Sequence, residues 1–267
     1  MTITEIIILI LIGLFTGVVT GMTGSSGVIV VVPLLNMVMN FTVHESIGTS
    51  LMVDIIAPLA IAYKYYKHGN IDLKSGVWIA MGSIVGAQLG ALFSAGIPDT
   101  GLGGFFGIYL TIMGITIWKR GINRKAIVEK FRNVIKFDTN LQKITTSLIL
   151  GFLIGIITGL LGAGGGIMIL LILIFVLDFP LHSAVGTSIL IMAITAASGT
   201  IGYALEGSVK PIAGAVIGLS AVIGGLSSAQ YANEINENIL AKSIGIVFAI
   251  LGLIMTAIRG IQIVTSL

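Results

Sequence analysis

Two glycine-rich stretches hold most of the chemistry open to this chain. They are Thr20-Gly21-Met22-Thr23-Gly24-Ser25-Ser26-Gly27 and Thr158-Gly159-Leu160-Leu161-Gly162-Ala163-Gly164-Gly165, each inside an apolar run. A helix that breaks in hydrocarbon leaves backbone N–H and C=O groups unpaired, which is costly unless they line a cavity or meet protein partners. The half-helix that follows starts with free N–H groups and the positive end of its dipole, a seat for an anion. Thr20, Thr23, Ser25, Ser26 and Thr158 would add hydroxyl donors. The plainer use of the same glycines is tight helix packing through small residues.

A second pair of motifs follows each break. Gly48-Thr49-Ser50 and Gly186-Thr187-Ser188 are preceded by His44 and His182, four residues before the glycine. Their hydroxyls could donate to an oxyanion, or bond back to their own helix as membrane serines and threonines commonly do. The histidines could titrate during a transport cycle, or cap a helix and touch headgroups. Asp54, in Leu51-Met52-Val53-Asp54, is the acid set well inside an apolar segment. An intramembrane carboxylate is a functional hypothesis by default, here for carrying a proton or binding sodium. The alternative is a protonated or hydrogen-bonded acid beside the carbonyl that Pro58 frees. Gln88 is a weaker polar candidate.

Enzyme chemistry finds no residues. The chain has no cysteine and three scattered histidines, which excludes thiol nucleophiles and leaves little for a metal cluster. There is no acid pair, and Gly162–Gly166 follows no strand and lacks the Gly-Lys-Ser/Thr ending of a phosphate loop. No cofactor is expected beyond a coupling ion.

The elements that must position these residues are membrane helices. The 267 residues are 56% hydrophobic and 9% charged, with mean hydropathy +1.10; a soluble domain carries roughly a quarter charged residues. The expected fold is all-α integral membrane, with segments near 4–38, 44–66, 74–96, 101–119, 144–177, 183–204, 210–230 and 238–262. Met1–Glu5 lacks a basic leader, so the run from Ile6 is expected to open the first segment. A straight helix over 4–38 would reach about 50 Å, too long for one span. It and 144–177 are therefore expected to be broken or re-entrant at their glycine clusters.

The chain also repeats. Gly155 falls on Gly17 at an offset of 138 residues, and at that offset His182 falls on His44, Gly207 on Gly69, Gly214 on Gly76, Gly224 on Gly86 and Gly252 on Gly114. This gives an N-terminal repeat of four segments over 1–119, a basic linker over 120–143, and a C-terminal repeat over 144–267. Paired bundles of this kind suit a carrier that rocks around a site between them. The linker holds Ile127, Phe131, Val134 and Ile135 at helical spacing among basic residues, the pattern of an amphipathic helix on the inner leaflet. Lys119, Arg120, Arg124, Lys125, Lys130, Arg132, Lys136 and Lys143 place it in the cytoplasm, with Lys64, Lys67 and Lys74 on the same side. This topology accounts for the net charge of +3 and the pI near 9.2 without nucleic acid. Eight crossings would put both termini inside and make the repeats parallel. Broken segments that return to their own side would instead invert them.

The doubled glycine break, with the His-x-x-x-Gly-Thr-Ser stretches at 44–50 and 182–188, resembles the sulfite exporter TauE/SafE family of the toluene sulfonate uptake permease superfamily. The similarity spans about Ile6 to Gly260. It implies a plasma-membrane permease, embedded in lipid, for small anions such as sulfite or organosulfonates. Ser25-Ser26 replaces part of the usual triple glycine and alters the donor set in the first repeat. The expected site joins Thr20, Gly21, Thr23, Gly24, Ser25, Ser26 and Gly27 with Thr158, Gly159, Gly162, Ala163, Gly164 and Gly165, flanked by the two Gly-Thr-Ser triplets. Asp54, His44 and His182 are the coupling candidates. Rival readings are a cation carrier or channel using unwound carbonyls and Asp54, and a non-transporting membrane scaffold.

Overall fold

A computed structural model describes residues 2–23, 26–120, 139–162, 165–231 and 237–265. Its ten described helices are α1 (Ile3–Thr23), α2 (Val28–Val38), α3 (Val43–Lys67), α4 (Leu73–Ala95), α5 (Asp99–Arg120), α6 (Asn140–Leu161), α7 (Gly166–Phe175), α8 (Leu181–Leu205), α9 (Pro211–Tyr231) and α10 (Glu237–Thr265). Seven of them are long and apolar enough to cross a membrane. The amphipathic linker helix expected around Ile127–Ile135 lies outside the described residues.

Both over-long segments are broken, and at each break the chain turns back. Gly27 packs on Thr16 and Thr20, and Leu9 and Ile12 share a buried cluster with Val31 and Leu35, so α2 runs back along α1. Likewise Gly165 lies against Ile154 and Thr158, and α7 runs back along α6. The returning helices have 11 and 10 residues, about 16 and 15 Å, enough for half a bilayer.

Local sequence explains where helices begin. Thr42 accepts from the Glu45 N–H while Glu45 reaches back to the Thr42 N–H, and Thr139 and Gln142 do the same for α6. Such capping boxes satisfy two otherwise orphaned donors each. The turns before α4 and α9 each carry a left-handed glycine, Gly69 and Gly207.

The packing shows how the repeats are related. α4 and α6 run parallel, with Ile79 on Gly151, Ser83 on Gly155 and Ala87 on Gly159; α1 and α9 run parallel, with Gly13 on Ile217 and Gly17 on Ala221. The central helices α3 and α8 run antiparallel, since Gly48 meets Tyr203, Leu51 meets Gly199 and Tyr65 meets Gly186. α5 and α10 are also antiparallel, with Gly107 on Thr256 and Gly114 on Ala249. Apart from the short returning helices α2 and α7, each helix of one repeat thus pairs with a helix of the other. Backbones are close enough that a side chain at Gly86 would start 2.1 Å from the Phe152 carbonyl oxygen.

Following these directions, the starts of α1, α3, α5 and α9 and the closes of α4, α8 and α10 share one end of the bundle. The close of α5 and the start of α6, which bracket the linker, share the other. Each repeat is a hairpin that returns, followed by three crossings, so the second repeat is inverted relative to the first. This corrects the parallel arrangement expected from eight crossings: both termini lie at the end opposite the linker. Large side chains such as Leu11, Phe93, Phe105 and Leu253 are exposed on the outside, as a lipid-facing surface requires.

Candidate functional site

At the first break, α1 closes with Thr20, Gly21 and Thr23 in its last turn, and α2 opens after Ser26 and Gly27. Gly24 and Ser25 lie outside the described residues. The Ser26 hydroxyl donates to the Asp54 carboxylate, and the Gly27 backbone N–H bonds the same group. Asp54 is 2% exposed and sits near the middle of α3, which places the break near the middle of the bundle. A carboxylate there satisfies the orphan donors of α2 and faces the positive end of its dipole. The seat at the start of α2 therefore holds the protein's own carboxyl group.

At the second break, α6 ends on Gly162 with φ +66°, a left-handed residue that terminates the helix. Ala163 and Gly164 lie outside the described residues. α7 starts at Gly166, and its N-cap residue is Gly165, which has no side chain to cap with. Thr158 is fully buried one turn before the close of α6. The residue at the register of Asp54 is Met192, 1% exposed. The two breaks therefore differ in chemistry: one carries a carboxylate, the other backbone donors and a thioether. Gly159 adjoins Gly199 of α8, which in turn meets Leu51 of α3, so the second break also leans on the central helix pair.

The Gly-Thr-Ser triplets lie near the starts of α3 and α8, toward opposite ends of the bundle. Thr49 Oγ1 accepts from the Lys210 N–H at 3.0 Å, and Thr187 Oγ1 accepts from the Asp72 N–H at 3.0 Å. Gly48 and Gly186 let the Ser208 and Asn70 carbonyls approach, leaving only 2.3 and 2.2 Å for a side chain. Ser50 and Ser188 bond back to the Ile47 and Val185 carbonyls. Each triplet thus clamps one repeat's central helix to the turn before α9 or α4 of the other. The serines thus follow the second of the two readings open in the sequence, bonding back to their own helix, while the two threonine oxygens accept from backbone N–H groups.

His44 also belongs to this frame. Its Nδ1 lies 2.6 Å from Asp99 and its Nε2 2.9 Å from the Ser94 carbonyl, so it ties the start of α3 to α4 and α5. Asp99 in turn accepts from the Val43 and His44 N–H groups. Glu45 pairs with Lys210 at 2.7 Å. The His182 side chain is not among the described ones. Gln88 is half-buried opposite Gly202. Sequence reasoning missed Thr16, which is buried against Gly27; its signal was a position one turn before Thr20, filled by isoleucine in the second repeat.

This architecture defines a class: an all-helical, multi-pass membrane protein of two inverted repeats, each interrupted mid-depth. Residues 9–255 match the sulfite exporter TauE/SafE family. The chain is 28% identical over 252 residues to the probable membrane transporter protein YdhB of Bacillus subtilis, covering 93% of this chain and 99% of that one. It is 26% identical over 260 residues to the probable membrane transporter protein YunE of the same organism, covering 92% and 95%. A probable membrane transporter protein of Methanocaldococcus jannaschii is 26% identical over 263 residues, covering 93% and 94%. No solved structure gives a significant match. The chain belongs to the sulfite exporter TauE/SafE family. It is a membrane transporter of a small solute, not an enzyme.

Proposed function

We propose that the chain carries a small sulfur-containing anion, sulfite or an organosulfonate, across the plasma membrane by alternating access. The anion sits at the second break, on the first-turn amides of α7 from Gly166 and on the Thr158 hydroxyl. The observation that carries this reading is the asymmetry of the two breaks. The Asp54 carboxyl group bonds at the N-terminus of α2, while the residue at its register in the second repeat is Met192. Binding through amides and a hydroxyl suits a solute that must also leave, because among the described residues no lysine or arginine holds it in a buried ion pair. Inverted repeats with discontinuous helices at mid-depth are a recurrent way to expose one site to either side.

Sidedness follows from charge. Among the described basic residues, only Lys210 and Arg259 fall toward the end that holds the termini. The linker end is therefore cytoplasmic and both termini are outside, the reverse of the placement expected from eight crossings.

The test is flux of radiolabelled sulfite into proteoliposomes, with unlabelled competitors. Sulfite flux that small organosulfonates suppress and sodium acetate does not is the expected result. Absence of flux for every sulfur oxyanion tried would reject the anion assignment.

A further inference from the structure

The 138-residue offset sets four positions of the first repeat against four of the second: Thr16 with Ile154, Thr20 with Thr158, Ser26 with Gly164, and Asp54 with Met192. Around the first break, all four side chains bear oxygen. Around the second, only Thr158 does. The structure arranges the first set about Gly27. A side chain at Gly27 would start 2.2 Å from the Thr16 methyl and 2.8 Å from Thr20 Oγ1, and Ser26 and the Gly27 amide both bond Asp54. Thr16, Thr20, Ser26 and Asp54 are 1, 7, 1 and 2% exposed.

Thr16 supplies a separate pointer. Its Oγ1 is buried and has no hydrogen-bond partner among the described residues, although a helical threonine ordinarily returns its hydroxyl to a carbonyl one turn back. Rotation about χ1 exchanges that hydroxyl with the methyl that faces Gly27. The C-terminal, electronegative end of α1 closes at the same place. One carboxylate, three hydroxyls and a helix carbonyl end form a hard, all-oxygen donor set. Its formal charge of −1 balances a monovalent cation and would leave a divalent one with excess charge in a low dielectric.

We propose that Asp54, Thr16, Thr20 and Ser26 bind a monovalent cation of sodium size inside the first break, next to but separate from the anion seat of the second. The cation replaces the Ser26 and Gly27 donors as the partner of Asp54. Its binding therefore changes how α2 is held. The site rests on the first repeat's own residues and does not require that the solute be a sulfur anion.

The test is the melting temperature of the purified full chain, without added solute, in sodium, potassium and choline chloride at equal ionic strength and at several pH values. A saturable upward shift in sodium over choline is expected. Its half-saturating concentration should rise at least tenfold in Asp54→Asn and several-fold in the isosteric Thr16→Val, with Met192→Leu unchanged. Equal melting in sodium and choline at every pH overturns the site. Stabilisation that follows pH alone also overturns it and assigns Asp54 to a proton. An undiminished sodium response in Thr16→Val removes that hydroxyl and with it the argument from its missing partner. Because no anion is present, these outcomes are distinguishable from failure of sulfite flux.

Discussion

Leucine at position 162 is expected to abolish solute flux while the protein still purifies as a folded species. Gly162 holds φ +66°, a conformation that costs a residue with a side chain roughly 1–2 kcal/mol. The chain can relieve that strain by extending α6 or by tilting α7. Either change moves the first-turn amides of α7 away from Thr158. α6 keeps its packing on α4 through Gly151, Gly155 and Gly159, so the bundle survives. Sulfite flux in proteoliposomes, beside a size-exclusion profile, checks this. Gly104→Leu is the control, since nothing lies within 4 Å of a side chain there; it should leave both readouts unchanged.

Leucine at Gly86 is expected to do the opposite, removing the fold itself. A side chain there would start 2.1 Å from the Phe152 carbonyl oxygen and 2.9 Å from the Ile156 N–H. Both obstacles are backbone, so no rotamer change makes room and α4 must separate from α6. The cost should reach or exceed the top of the roughly 1–3 kcal/mol range for overpacking. Loss of the monodisperse peak, or a melting point lowered by roughly 10 °C, is the expected outcome of fluorescence-detected size exclusion. Parent-like melting would mean that the two helices pack less closely than described here.

The segments and the repeat were legible from sequence because apolar length and a gapless 138-residue offset survive without any knowledge of packing. The inversion was not. It depends on whether the 11 residues of α2 and the 10 of α7 go on or turn back, and hydropathy is the same either way. Charge helps little, because both topologies place the linker and Lys64, Lys67 and Lys74 inside. They differ over the termini and the three short loops around Val176–Pro180, Glu206–Lys210 and Glu234–Glu237.

The site was half legible. Asp54 and Ser26 each drew attention separately, but nothing in the sequence said that one caps the helix begun by the other, 28 residues away. For Thr49 and Thr187 the sequence leaves two partners open, a solute or their own helix, because a hydroxyl in a membrane helix must find one. Their partners are backbone N–H groups 161 and 115 residues away, on the turns that precede α9 and α4. Thr16 was passed over because a single threonine in an apolar helix ordinarily bonds its own carbonyl.

Inversion of the repeats underlies everything said of the two breaks, and it fixes the termini and the linker on opposite faces of the membrane. The chain has no cysteine, so single cysteines at Thr2 and at Lys74, on the loop that shares the linker's end, report sidedness without background. Labelling with a membrane-impermeant maleimide should modify Thr2→Cys in intact cells and Lys74→Cys only after permeabilisation. Labelling of both positions from the same side would contradict the inverted fold.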